Sequence, residues 1–310
     1  MAREATLATP VARPLISRRA RELAGGYLYL APVILVLGGT VLFPILKAMH
    51  MSLYHHVLIK PKEYGFIGLD NYARLLHDQV FWLSLWNSFV WVFGSVTFQF
   101  LGGFAAALLL HQGFRGRAVL RTLTLLPWII PGVVVALIWE FIYQPNYGLL
   151  NDVLIRLGWM TERVAWLSSP ALAMPAVIVA NIWRGVPFFA IMLLAGLQAI
   201  PTELYEAARV DGASVGQRFV YITLPMLRPI IVVATATRIV WTFNYADLIF
   251  VMTSGGPANA TQITSTYTLM QAYSNLDFGY AATLSVALLL IMLAFTTVYL
   301  RLTRGLESVS

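Results

Sequence analysis

The sequence predicts an all-α membrane protein with six transmembrane helices, and three observations carry that expectation. Of the 310 residues, 59% are hydrophobic and 11% charged, where soluble globular domains average about 45–50% and about 25%. The apolar residues gather in six runs, each near the roughly 20 residues that cross a hydrocarbon layer. The basic residues fall unevenly between those runs, as they do in proteins with a fixed membrane orientation. A water-soluble enzyme is excluded by this composition. With no cysteine in the chain, so are a disulfide framework, a thiolate metal site and a cysteine nucleophile.

The first 26 residues, with Pro10, Pro14 and a cluster of arginines, read as a cytoplasmic tail. The first run, Tyr27 to Leu46, holds no charge. It is longer than the about 7–15 apolar residues of a signal peptide and lacks a small-residue cleavage site, so it is read as a retained helix. An outer segment of short helices follows, including Phe66-Ile67-Gly68-Leu69-Asp70-Asn71-Tyr72. Residues 27–83 are therefore grouped as first helix plus outer segment, and 84–305 as the core. The second run, Asn87 to Leu110, is uncharged, and the third, Thr122 to Trp139, ends at Glu140. The fourth, Ala171 to Ile200, contains Arg184; the fifth, Pro229 to Phe250, contains Arg238 and Asp247; the sixth, Tyr280 to Leu300, is uncharged.

Thirteen of the 21 Lys and Arg residues lie on the side of the N-terminal tail, including Arg115, Arg117, Arg121, Arg209, Arg218, Arg228, Arg301 and Arg304. Six lie opposite and two within runs. The positive-inside rule then places both termini in the cytoplasm. The formal charge of +7 is a topology signal and not a nucleic-acid surface.

Catalytic motifs are weak. No phosphate-binding loop of the form G-x-x-x-x-G-K-[ST] occurs. Gly212-Ala213-Ser214-Val215-Gly216 matches the G-x-S-x-G nucleophile elbow, but it sits in a loop between membrane helices without a preceding strand. Ser214 with Gln217 is better used as a capping box. His55 and His56 are adjacent, whereas helical metal pairs are spaced i, i+4. No metal site is expected, and Asn259-Ala260-Thr261 is a chance sequon.

The loop Pro201 to Pro229 is far less apolar than its surroundings. Thr202 can cap a helix with Glu203 and Glu206 near its positive end, and Gly212 can end it in a left-handed turn. Ser214 then opens a second short helix bearing Val215, Phe219 and Ile222, stopped at Leu224-Pro225. Two readings fit this amphipathic pair: a plug for a partner's groove or a surface lying on lipid headgroups.

Glu206-Ala207-Ala208, then Gly212, then Ile222-x-Leu224-Pro225 resembles the EAA loop of the membrane subunits of bacterial ABC importers. The chain is similar to the carbohydrate-importing permeases related to the larger maltose-transporter subunit. Leu126-Pro127, Trp183-Arg184-Gly185-Val186-Pro187-Phe188, Ala195-Gly196-Leu197 and Thr253-Ser254-Gly255-Gly256-Pro257 extend the likeness from about 27 to 305. The resemblance implies a type I importer transmembrane domain in a bacterial inner membrane. Loop 201–228 would hold the coupling helix that docks in a cleft of a cytoplasmic ATPase subunit, through Glu206, Ala207, Ala208, Asp211, Gly212, Ile222, Leu224 and Pro225. It implies partners as well: a second related permease subunit, two cytoplasmic ATPases carrying ATP and Mg, and a soluble binding protein. This chain would bind no cofactor and no nucleic acid, and would not itself be an enzyme.

Ionisable residues within spans mark cavities or each other. Arg238 and Asp247 lie nine residues apart, about 13 Å along a helix at 1.5 Å per residue, so they do not pair on that helix. Arg238 suits either a substrate path or a hydrogen bond between helices. By the same resemblance, substrate-contacting positions fall on Trp128, Gly132, Asn181, Arg184, Gly185, Phe188, Trp241, Thr242 and Tyr245, aromatics and amides suited to a sugar's apolar faces and hydroxyls. The side chains depart from the maltose pattern, Arg184 among them, which leaves the sugar open. The rival class is a gradient-driven secondary transporter, for which only Asp247 and Glu140 are available as intramembrane acids.

Overall fold

The computed structural model describes residues 29–304, so the expected tail over 1–26, with Tyr27, lies outside the described residues. The chain divides into two compact units, 1–50 and 51–310. The described part of the first is helix α1, Tyr29–Met51, whose final residue opens the second unit. Its side chains are unburied throughout, as suits a helix whose residues 29–46 carry no charge in a hydrocarbon environment. A π-turn at Gly38–Leu42 begins at the Gly38-Gly39 pair, where helix propensity is weakest.

In the second unit the outer segment differs from the expected short helices. Strands β1 (Tyr54–His55) and β2 (Gly65–Phe66) pair antiparallel, a 3₁₀ turn covers Pro61–Glu63, and only α2, Asp70–His77, is α-helical. The amide of Asn71 donates to the carbonyls of Ser52 at 2.9 Å and Tyr54 at 3.0 Å. Arg74 pairs with Asp277 at 2.8 Å, and Val57 bridges Asp277 through the backbone. Residues 51–83, grouped with the first helix in the sequence, fall in the second unit.

Helix α3, Gln79–His111, starts where the Asp78 carboxylate accepts the N–H groups of Val80 and Phe81. Burial raises the Asp78 pKa, but hydrogen bonds from Tyr267, Tyr280 and those two amides outweigh it and hold the carboxyl below its ordinary value of 3.8.

The third run is not one straight span. It forms α4, Arg117–Ile129, and α5, Gly132–Ile142, meeting at 96°. Pro131 has no N–H and disfavours helical backbone at the residue before it, and Ile130 is extended (φ −67°, ψ 131°). After α6, Leu149–Arg156, comes α7, Pro170–Ala199. Then follow α8, Thr202–Val210, and α9, Val215–Arg218. The expected stop at Leu224-Pro225 is absent: a π-turn, Phe219–Thr223, leads straight into α10, Leu224–Asn244. Pro225 lies in the first turn of α10, where the wider turn before it accommodates the ring that would crowd a regular i−4 carbonyl. The fifth run breaks as well, at Tyr245-Ala246, before α11, Asp247–Met252. Helix α12, Thr264–Leu269, and α13, Phe278–Arg304, complete the chain. Among the described residues five helices are long and apolar enough to cross a membrane, or six if the bent pair is one span.

Helices α3 and α7 form the axis of the core. A Cβ on Gly103 would lie 2.4 Å from the Phe189 Cβ, so only glycine lets the two backbones come this close, the usual device where lipid offers helices no hydrophobic advantage in associating. Trp91, Phe189, Leu193, Leu227 and Phe243 are fully buried around that crossing. The Asn87 amide donates to the carbonyls of Asn259 at 3.1 Å and Gln262 at 3.0 Å, pinning the loop before α12. Thr261 of the sequon is buried and donates to the Gly256 carbonyl at 2.7 Å, so its hydroxyl closes this loop.

Candidate functional site

Two constellations follow from the fold. The first is loop 201–228. Thr202 does not cap α8: the N-cap is Pro201 and no side chain bonds there. The C-terminus is as expected. Gly212 has φ +79°, its N–H donates to Arg209 at 3.1 Å, and the Ala213 N–H donates to Ala208 at 2.8 Å. These are the two bonds of a Schellman turn, which needs a residue free to adopt the left-handed region. Ser214 and Gln217 form the full capping box, so the serine of the G-x-S-x-G match serves as a helix cap. Tyr205 and Thr223 hydroxyls bond at 2.9 Å, tying α8 to the π-turn. Glu206, Ala207, Asp211, Gly212 and Pro225 are exposed, Ala208, Ile222 and Leu224 half-buried. Val210 and Val215 are 88% and 75% exposed, so the apolar residues of the turn project away from the core.

The second constellation sits where α4, α7 and α10 meet beside both helix breaks. Trp128, Arg184, Arg238, Trp241, Thr242 and Tyr245 line a cavity of about 160 Å³. Phe188 stands behind it, its ring 6.2 Å from Trp128 and 5.4 Å from Trp241 between centroids. The Arg184 guanidinium lies 4.7 Å over the Tyr245 ring, a cation–π distance. Gly132, just past the α4–α5 break, leaves room for the Tyr245 hydroxyl, which a Cβ would strike. The nine residues inferred from the resemblance are therefore gathered at one locus, but not all face the cavity. Asn181 is fully buried and enters through its backbone carbonyl, which accepts from the Gln99 side-chain amide at 2.8 Å. Gly185 is also buried, its Cβ direction blocked by the Gln99 side chain and by an Arg238 guanidinium nitrogen 2.5 Å away. The Thr242 hydroxyl donates to the Arg238 carbonyl at 2.7 Å.

Sequence reasoning missed Gln99. Its Oε1 accepts from Arg238 Nε at 2.7 Å while its Nε2 donates to Asn181, so one buried amide joins α3, α7 and α10. A lone glutamine in the uncharged run Asn87 to Leu110 was the available signal. Arg238 makes the hydrogen bond between helices, Nε being spent on Gln99, and its guanidinium also lines the cavity.

Residues 99–308 match the family described as binding-protein-dependent transport system inner membrane component. The chain is 40% identical over 285 residues to the trehalose/maltose transport system permease protein MalF of Thermococcus litoralis, covering 92% of this chain and 95% of that one. It is 36% identical over 277 residues to the sulfoquinovosyl glycerol transport system permease protein SmoG of Agrobacterium fabrum, covering 89% of each. In fold it matches a chain of a bacterial ABC transporter involved in the import of the acidic polysaccharide alginate, with a TM-score of 0.80 at 24% identity over 93% of this chain and 99% of that one. On this evidence the chain belongs to the inner-membrane permease components of binding-protein-dependent ABC transport systems, the membrane-spanning and not the catalytic part of such systems.

Proposed function

We propose that this chain is half of the translocation pathway of an ATP-driven sugar importer, with the cavity at the two helix breaks as its substrate site and loop 201–228 as its link to an ATPase. The observation that carries the reading is the loop. An exposed helix is fixed by a glycine-dependent turn and a capping box to the start of α10, and α10 carries Arg238, Trp241, Thr242 and Tyr245 of the cavity. Force applied at Glu206, Ala207 and Ala208 is thereby delivered along one helix to the cavity wall. Asp211 and Gly212 shape the turn, while Ile222, Leu224 and Pro225 form the root.

The distribution of basic residues supports a cytoplasmic side for both termini and this loop, in a bacterial inner membrane. A second related permease subunit supplies the other half, and two cytoplasmic subunits bind ATP and Mg and carry out hydrolysis; this chain needs no cofactor. Their closure draws the coupling loops together and opens the cavity to a soluble binding protein outside. Support for that last partner comes from a solved structure of similar fold, at 23% identity and a TM-score of 0.80, described as an alginate ABC transporter in complex with an alginate pentasaccharide-bound periplasmic protein. Trehalose, maltose and sulfoquinovosyl glycerol, named for the relatives, support a small glycoside as the substrate class.

The test is the composition and activity of the complex purified from native membranes through a tag after Ser310. The reading expects an ATP-binding subunit and a second permease, and uptake of a glycoside into proteoliposomes that requires ATP inside. This chain alone, stable and still transporting on an ion gradient, would contradict it.

A further inference from the structure

We propose that the cavity selects glycosides bearing an acidic group (a carboxylate, phosphate or sulfonate) and seats that group against the Arg184 and Arg238 guanidiniums. The proposal rests on the sugar-permease reading and adds the charge of the cargo.

Charge balance is the first argument. The cavity lining holds two guanidiniums and no carboxylate. The ion pairs among the described residues all lie elsewhere, on Glu63, Asp277 and Asp152. Asp247, though two residues from Tyr245, lines a separate groove with Asn244 and Ser265, and Glu140 lines another with Gln144. Arginine stays protonated in proteins, and like charges within a membrane span are costly unless something of opposite sign joins them. Gln99 supplies Arg238 with a neutral acceptor for Nε alone.

Donor geometry is the second. Arg184 Nε and the Tyr245 hydroxyl are buried with no acceptor in the protein, and both residues line the cavity. A guanidinium presents a rigid fork that matches the paired oxygens of a carboxylate, phosphate or sulfonate, whereas a sugar hydroxyl offers a single oxygen. Shape is the third. Trp128 and Trp241, 40% and 50% exposed, present aromatic surface to the apolar face of a sugar ring. The volume of about 160 Å³ leaves room beside the two guanidiniums for the acidic end of a glycoside.

The experiment measures binding to the whole assembled complex in nanodiscs by tryptophan quenching, using matched neutral and acidic probes. The pairs are methyl glucoside with methyl glucuronide, trehalose with trehalose 6-phosphate, and quinovose with sulfoquinovose; inorganic phosphate alone is a further arm. The expected result is that in at least one pair the acidic member binds about tenfold tighter or more, one charge-assisted contact at roughly 1.4 kcal/mol per decade. That preference should disappear in Arg184→Gln and persist in Arg184→Lys. Equal or tighter binding of the neutral members would overturn the acidic-cargo proposal and leave the sugar reading standing. A response to inorganic phosphate with no preference within pairs would also overturn it, making the site one for a free ion. Silence toward every probe from a complex that still hydrolyses ATP would remove both.

Discussion

Glu206 and Arg238 stand at the centres of the two candidate regions, and the chain treats their charges in opposite ways. Glu206 is exposed on a nine-residue helix whose ends are set by neighbours within a few positions. Arg238 is 4% exposed, and its bonded partner, Gln99, is 139 residues away. The loop is built by local backbone rules; the cavity exists only because three long helices cross and two of the apolar runs break beside the crossing. Movement of the one is expected to reach the other because α9, the π-turn and α10 are continuous.

The sharpest way to break the comparison is Gly212→Pro. Its φ of +79° lies far from the roughly −65° that proline enforces. The expected outcome is normal insertion and assembly with uptake at background; full uptake in this variant would sink the coupling role of the loop. In the cavity, Gly185→Val would drive a side chain into Gln99 and Arg238. Overpacking of this kind costs about 3 kcal/mol at its upper range, read as a lowered melting temperature of the purified protein. Gln99→Leu leaves the Arg238 Nε without its acceptor and should cost about 2 kcal/mol, the range for hydrogen bonds to charged groups. Gln99→Glu should recover only part of it, because a carboxylate accepts from Arg238 but cannot donate to the Asn181 carbonyl. Equal stability of the Leu variant and the parent would show that the three-helix link carries no energy.

Smaller effects sharpen the local side. Tyr205→Phe removes the bond to Thr223 and should cost about 0.6–1 kcal/mol, with uptake falling more than stability if that contact transmits motion. The last handle is pH at the outer cap. The Asp78 carboxyl is held below its ordinary value of 3.8, so its contribution is fully present above that value and is lost as pH falls through the lower folded-state value. Asp78→Asn should remove this component from the acid limb of a stability-versus-pH curve; an unchanged limb would show that the Tyr267 and Tyr280 bonds do not couple to folding.

The same contrast explains what the sequence made legible. Glu206, Gly212, Ser214 and Gln217 could be read because their roles are set within a few residues of chain, and the structure keeps the turn and the capping box. Thr202 failed as a cap because Pro201 already occupies the N-cap position, and Pro225 failed as a stop because a π-turn absorbs it. The six apolar runs could be counted, but their shapes could not: Pro131 bends the third by 96°, and the fifth parts at Tyr245 with no proline to announce it. Those two breaks place Gly132 against Tyr245. The outer hairpin was hidden because two-residue strands leave no periodic pattern. Gln99 was hidden because one amide in an uncharged helix acquires meaning only from what crosses it.

The chain has no cysteine, which makes the central claim directly testable by one introduced residue. Ala207→Cys places a single thiol on the exposed face of α8. In native membranes, with a bismaleimide of short reach, this thiol should cross-link to a nucleotide-binding subunit, with a yield that changes when ATP is added. An Ala207→Cys protein that is incorporated and transporting, but yields no such adduct with or without ATP, would contradict the account.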